Sequence, residues 1–250
     1  MRTPALLAAL LAVACAPAPV TPTPIPDQKA PDFPAGTGQE ANYIAEASYP
    51  GPYGYGVGSV IPNYVLEGFP NAASDTSTLQ RISLQDFYNP TGTGVFPPGS
   101  PYGEGTPLPK AIILDRAAVW CGPCNDEANT EIPPLFAQYH PMGGMWLLAL
   151  DEGSVPGTQP TQAQLKSWLT RYGVNKNAVY PGSIDPQAEF SDIFEDAYPG
   201  NAIIRTKDMK IIKVEVGVPQ CTLPNDPSCF YSVFENVLND KPVLPGDPGM

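Results

Sequence analysis

Cations are scarce in this chain of 250 residues: 13 Lys and Arg stand against 25 Asp and Glu, a formal net charge of −12. A surface of that sign repels phosphate backbones, so nucleic acid is a poor partner. The acids are scattered rather than run together, and the excess reads as solubility. Histidine occurs once. His140 precedes Pro141 at a predicted helix end, where a structural role is expected rather than catalysis. Beyond the N-terminus no apolar run is long enough for a transmembrane helix. What the chain has in excess is Pro (33) and Gly (23), which implies long irregular segments. A hydrophobic share of 42% still allows a buried core. The length fits one sizeable domain with extensions, or two small ones.

The first 14 residues set the compartment. Arg2 supplies a positive start and Ala5 to Ala14 an apolar run too short to span a bilayer comfortably. Small residues follow, the pattern of a secretory signal peptide over 1–14. The stretch resembles a bacterial lipoprotein signal, in which Cys15 would be lipidated and become the mature N-terminus. Ala12 stands where Leu is commoner, and Ala12-Val13-Ala14 also satisfies ordinary A-x-A cleavage. The expected location is therefore exported, membrane-anchored through lipid, facing the periplasm or the cell exterior. Residues 15–56 read as a Pro/Gly-rich tether, since repeated Pro favours extended chain and leaves no periodic apolar face.

The domain is expected over 57–240, with 241–250 a flexible tail. VIPNYVL at 60–66 reads as an edge strand, where Pro62 is tolerated. A short strand or turn at 78–82 and a helical turn at 84–88 follow. Residues 89–109, crowded with Gly and Pro, read as an inserted surface loop. AIIL at 111–114 and MWLLAL at 145–150 are bounded apolar runs, as buried strands are. A helix is predicted over 123–131, broken or kinked by Pro133 and Pro134, with a further turn to Tyr139. Helical spacing through Leu165, Trp168 and Leu169 places a helix at 162–172 with Thr161 as N-cap. A helix at 187–194, an antiparallel pair at 202–205 and 210–216, and a helix at 229–239 complete the reading. Such alternation gives an α/β domain with a mixed sheet.

Trp120-Cys121-Gly122-Pro123-Cys124 follows directly on a predicted buried strand and opens a helix. A thiolate, not a thiol, attacks a disulfide. Unpaired N–H groups and the positive dipole end at a helix N-terminus stabilise Cys121 as that anion. Pro123 fits the first turn, where its missing N–H costs nothing. Cys124, one turn on, can reach back to resolve a mixed disulfide.

WCGPC is the active-site motif of the thioredoxin superfamily, which this chain resembles from about Val57 to Asn239. VGSVIPNYVLEGF is similar to the opening of its redoxin branch, which includes periplasmic proteins of cytochrome maturation. The resemblance implies a thioredoxin-like fold: a mixed central sheet flanked by helices, here with an N-terminal strand extension and a Gly/Pro-rich insertion. It implies that Asp115 is the buried acid assisting proton transfer from Cys124, and that Pro199 is the cis-proline facing the cysteines. It implies that Trp120, Gly122, Pro123 and Glu127 support the site. Each has a plainer reading: Asp115 a strand-end surface acid, Pro199 an ordinary trans loop proline, Glu127 an exposed helix residue. Arg116-Ala117 replaces the usual aromatic pair, Asn129 a common proline, and Gly200-Asn201 the usual Thr-Thr.

The activity implied is protein-disulfide oxidoreductase, exchanging disulfides with protein thiols through Cys121 and Cys124 as a reductant, without cofactor or metal. An exported reductant needs recharging, which implies a membrane electron-donor thiol protein as partner. Cys221 and Cys229, in a short turn-rich loop, are expected to form a structural disulfide; a second redox pair is the alternative. A zinc site joining Cys121 and Cys124 to these two is disfavoured, because zinc requires neither the Trp nor the Gly-Pro. Two other functions compete. A thiol peroxidase would need P-x-x-x-T-x-x-C, which does not occur. A tethered binding module would gain nothing from an activated thiol.

Overall fold

The computed structural model of the protein describes residues 49–185, 190–195, 197–221 and 226–247. The predicted signal peptide, Cys15 and the tether up to residue 48 lie outside them. The strands are β1 (Val65–Phe69), β2 (Gln80–Ser83), β3 (Ala111–Ala118), β4 (Gly144–Glu152), β5 (Gly182–Ile184), β6 (Gly200–Arg205) and β7 (Lys210–Val216). The helices are α1 (Gly122–Asp126), α2 (Ile132–Tyr139), α3 (Gln162–Trp168), α4 (Ser191–Phe194) and α5 (Phe230–Leu238). One sheet runs in the order β2-β1-β5-β4-β3-β6-β7.

The predicted strand at 111–114 extends to Ala118, and all of β3 is buried. It pairs parallel with β4 and antiparallel with β6, while β4 runs parallel to β5. Parallel neighbours need crossover connections, and the segments carrying α1–α2 and α3 supply them. Their apolar residues share one core with α5: Ile132, Phe136, Leu165, Trp168, Phe230 and Phe234 pack against Ile113, Trp146 and Leu148. A β-α-β unit followed by an antiparallel pair and a last helix is the thioredoxin-like arrangement, extended by β1 and β2. Thr161 caps α3, its hydroxyl accepting from Gln164 N at 3.2 Å.

Three expectations are corrected. The strand predicted at 60–66 is not at the edge: β1 lies between β2 and β5, and Pro62 precedes it, so no ladder bond is lost. Its partner β5, only three residues long, carries too little pattern to be read from sequence. A Cβ on Gly68 would stand 2.1 Å from the Gly182 carbonyl oxygen, so the close approach of β1 to β5 needs glycine there. The Gly/Pro-rich loop at 89–109 is more than surface. Phe96 and Leu108 are buried with Ile61, Phe87 and Phe194 in a second core on the other face of the sheet, and Val95 bridges to Pro107. Nor do Pro133 and Pro134 break the helix. A wider π-type stretch, Glu127–Glu131, joins α1 to α2, and the prolines fall in the first turn of α2, where donors are not needed. Of the helix predicted at 187–194, residues 186–189 lie outside the described set and Ser191–Phe194 is helical.

Candidate active site

β3 ends at Ala118, and two residues later the chain turns into α1 with Cys121 as its N-cap. Cys121 Sγ accepts the backbone N–H of Cys124 at 3.1 Å, the contact that favours negative charge on that sulfur. Cys121 and Cys124 are joined as a disulfide, their Cα atoms 5.3 Å apart. Pro123 sits in the first turn. A Cβ on Gly122 would meet nothing within 4 Å, so packing among the described residues does not require glycine there. Asn125 fastens the turn, donating to Val119 O at 3.0 Å and Cys121 O at 2.6 Å, while its Oδ1 accepts from Tyr172 Oη at 2.7 Å.

Behind the cysteines lies a pair of acids. Asp115 and Glu127 are both buried, which sets aside the readings of a surface acid and of an exposed helix residue. Asp115 shares the face of β3 that carries Ile113 and Ala117, the face covered by Cys124 and its helix. Burial pushes the Asp115 carboxyl up to about 7. Burial and the Asp115 charge push Glu127 up to about 9. Glu127 Oε1 accepts from Asn201 Nδ2 at 3.0 Å, and Asn201 stands directly opposite Asp115 in the β3–β6 register. Glu127 Oε2, Asp115 Oδ1 and Tyr180 Oη are buried without a hydrogen-bond partner among the described residues. Burial, then Asp115 and Glu127, raise the Tyr180 phenol far above its ordinary value. At neutral pH Glu127 therefore already carries its proton, and Asp115, half-ionised near pH 7, is the carboxyl of the pair able to take one released near Cys124.

The Tyr198–Pro199 peptide is cis, and Pro199 O accepts from Gly217 N at 2.8 Å. This turn enters β6 with Gly200 opposite Arg116, which places it beside the CGPC turn. Trp120 is 41% exposed; its ring meets Tyr198 edge-on at 5.8 Å, and its Nε1 donates to Glu152 Oε2 at 2.5 Å. Cys221 and Cys229 are bonded to each other, Cα atoms 5.3 Å apart, so each cysteine pair closes on itself. No group of three or more His, Cys, Asp or Glu placed to hold a metal occurs among the described residues. His140 caps α2, stacked on Phe136 at 4.5 Å.

Sequence reasoning missed Asn201, seen only as a departure, and a buried pair beside Arg116 on the other face, Asp151 and Asp185, with half-buried Tyr198 joined to them. The signal was present, since Arg116 interrupts an otherwise apolar strand and Asp151 ends another. Burial and the neighbouring Asp185 raise the Asp151 carboxyl to about 7, against the pull of Arg116.

The fold is thioredoxin-like and the site is a two-cysteine turn between a buried strand and a helix. No protein-family model matches the chain, and no curated protein matches it. Solved structures do. A putative thiol:disulfide interchange protein DsbE from Chlorobium tepidum is 16% identical, over 74% of this chain and 99% of that one, at a TM-score of 0.48. An uncharacterized conserved protein from Geobacillus kaustophilus is 14% identical over 77% of this chain and 87% of that one, at 0.49. The thioredoxin domain of a thiol-disulfide oxidoreductase from Bacteroides vulgatus is 13% identical over 66% and 91%, at 0.43.

Proposed function

We propose that this protein is an exported thiol–disulfide oxidoreductase, tethered through lipid on Cys15, that reduces disulfides in protein clients with the Cys121–Cys124 dithiol. The observation that carries the reading is the redox pair at a helix start with Asp115 and Glu127 buried behind it. In the reduced protein the Cys121 thiolate attacks one client sulfur. The client's S–S bond breaks, a Cys121–client mixed disulfide forms, and the second client sulfur leaves as a thiolate that takes a proton from solvent. Cys124 then gives its proton to Asp115, whose affinity near neutrality suits it as acceptor, and attacks Cys121 Sγ. The client sulfur displaced from Cys121 leaves as a thiolate and takes the proton held on Asp115, so the client departs as a dithiol and the protein is left with the Cys121–Cys124 disulfide. Two electrons have passed to the client, so a thiol donor must return two for the next turn; a membrane electron-carrier thiol protein would fill that role.

The test is turnover in insulin reduction with dithiothreitol. Activity is expected from the native protein and none from Cys121→Ser; undiminished activity in that variant refutes the mechanism. Direction is decided by the reduction potential of the pair, with roughly −270 mV expected for a reductant and a value near roughly −120 mV assigning an oxidant instead. Export and anchoring rest on the N-terminal pattern, and palmitate labelling that is lost in Cys15→Ala would test them.

A further inference from the structure

The strand that leads into the CGPC turn carries a buried cation that the exchange chemistry does not use. Arg116 faces away from Asp115, into the second core, and is buried together with Asp151 and Asp185. Its Nε donates to Asp151 Oδ2 and its Nη1 to the Glu195 carbonyl oxygen. The guanidinium lies against the Tyr198 ring, 4.7 Å from its centroid, with Nη2 3.4 Å from Tyr198 Oη. Tyr198 Oη donates in turn to Asp151 Oδ2 at 3.1 Å. Glu195 and Tyr198 both belong to the segment that arrives at Pro199. On its far side Tyr198 meets Trp120, and Trp120 is held by Glu152, which also accepts from Gly157 N at 3.0 Å.

A guanidinium taken out of water is costly unless its donors are met, and an apolar side chain of the same size is often as stable or more so. The guanidinium adds a tie that an apolar residue lacks. Its donors and its flat face are directed to a backbone carbonyl and a ring of the turn, joining β3 to the Tyr198–Pro199 segment. The exposure pattern shows what that turn is for. Cys121 is 2% exposed and Trp120 41%, so an arriving polypeptide meets the Trp120–Tyr198 rim before it meets sulfur.

We infer that Arg116 is a positioning residue for client binding, pinning the Tyr198–Pro199 turn, and through Tyr198 the Trp120 ring, in the arrangement a disulfide-bonded polypeptide needs to reach Cys121. The inference rests on the exchange function proposed above and names its substrate class: a disulfide flanked by peptide chain, which uses the rim, rather than a small disulfide, which does not need it. Arg116 touches neither sulfur, so it acts on association and not on the sulfur chemistry.

The experiment compares native protein, Arg116→Gln and Tyr198→Phe in steady-state reduction of insulin and of the small aryl disulfide dithiobis-nitrobenzoate. The potential of the Cys121–Cys124 pair is measured alongside in glutathione buffers. An unpinned turn leaves two more side chains, Tyr198 and Trp120, to be ordered on binding, so KM for insulin is expected to rise roughly tenfold in Arg116→Gln. Tyr198→Phe, which loses one link and keeps its ring, should raise it roughly threefold. The potential should not move, and the aryl disulfide should lose far less than insulin. A KM for insulin that stays put, an equal fall for both disulfides, or a shifted potential overturns the inference and leaves the exchange function standing. Native protein inert towards both disulfides overturns the exchange function and this inference with it. If Arg116→Gln does not fold, Tyr198→Phe decides by the same criteria.

Discussion

Replacing Glu127 by glutamine should make the oxidised protein more stable at neutral pH and leave it nearly unchanged in acid. Burial, the Asp115 charge and more distantly Glu131 hold the Glu127 carboxyl protonated up to about pH 9, against 4.5 for a free glutamate. The unfolded chain releases this proton above pH 4.5, so folding at pH 7 must take it back from solvent. That interval costs about 3 kcal/mol at ~1.36 kcal/mol per pH unit. With the folded value above the unfolded one, the stability tied to this group is complete below about pH 4.5 and is lost as pH rises towards 9. Glutamine keeps the oxygen that Asn201 Nδ2 meets at 3.0 Å and has no proton to lose. The expected gain is about 2–3 kcal/mol at pH 7 and under about 0.5 kcal/mol at pH 4. For a domain of this size the neutral-pH gain raises Tm by roughly 5–10 °C. Urea unfolding across the pH series, without reductant, reads both limits. A gain of equal size at pH 4 and pH 7, or a loss at pH 7, refutes the reasoning, because it means the folded protein carries Glu127 as a carboxylate.

The same acid pair makes a kinetic prediction. Asp115→Asn removes the acceptor for the Cys124 proton, so resolution of the mixed disulfide should slow by roughly a hundredfold while attack by Cys121 is preserved; quenched samples should accumulate the Cys121–client species, and its absence argues for another acceptor. The Cys221–Cys229 bridge spans 8 residues of sequence, and serine at both positions should cost about 2.5 kcal/mol in urea unfolding with exchange activity retained. Intact mass without reduction should show no free thiol at either position.

The sheet was legible where a segment had one reason to be what it is. AIIL and MWLLAL are buried on both faces and read as continuous apolar runs, and both became central strands, β3 and β4. Thr161 with Gln164 three residues on forms a capping box and marked the start of α3. The antiparallel pair read at 202–205 and 210–216 is β6 and β7, joined by the turn over 206–209, because two apolar runs around a short polar turn have few other solutions. Legibility failed where a tertiary partner decides. Gly68 reads as a poor strand residue, and only the 2.1 Å approach of the Gly182 oxygen explains why glycine belongs inside β1. Phe96 and Leu108 sit among turn residues that signal a surface loop, yet the loop covers a sheet face that, among the described residues, is otherwise reached only by α4 and the short helical turn Leu84–Phe87. Prolines 133 and 134 forbid α-helical donors at their own positions only, and a π-type stretch ahead of them resets the register so that those donors are not missed.

The candidate site divides along the same line. Cys121, Pro123 and Cys124 are local, since a turn, a cap and a first helical turn suffice to place them. The burial of Glu127 is not local, because helical spacing alone leaves it as free to face solvent as the sheet. It is decided by Asn201, 74 residues away in sequence, which reaches it across the sheet from opposite Asp115. The two places where this chain departs from the expected motif, Arg116-Ala117 and Gly200-Asn201, are neighbours in the β3–β6 ladder, Arg116 facing Gly200 and Asp115 facing Asn201. At Gly200 a Cβ would stand 2.7 Å from the Phe194 ring, so the segment before the cis-proline can press on the second core only with glycine there. The changes therefore form one adjustment of two faces. Asn201 turns towards the cysteine side and holds a second acid, while Arg116 turns away and ties down the turn before Pro199. Residues that look like scattered losses of a motif thus occupy one rung-by-rung contact, and the rung explains why they occur together.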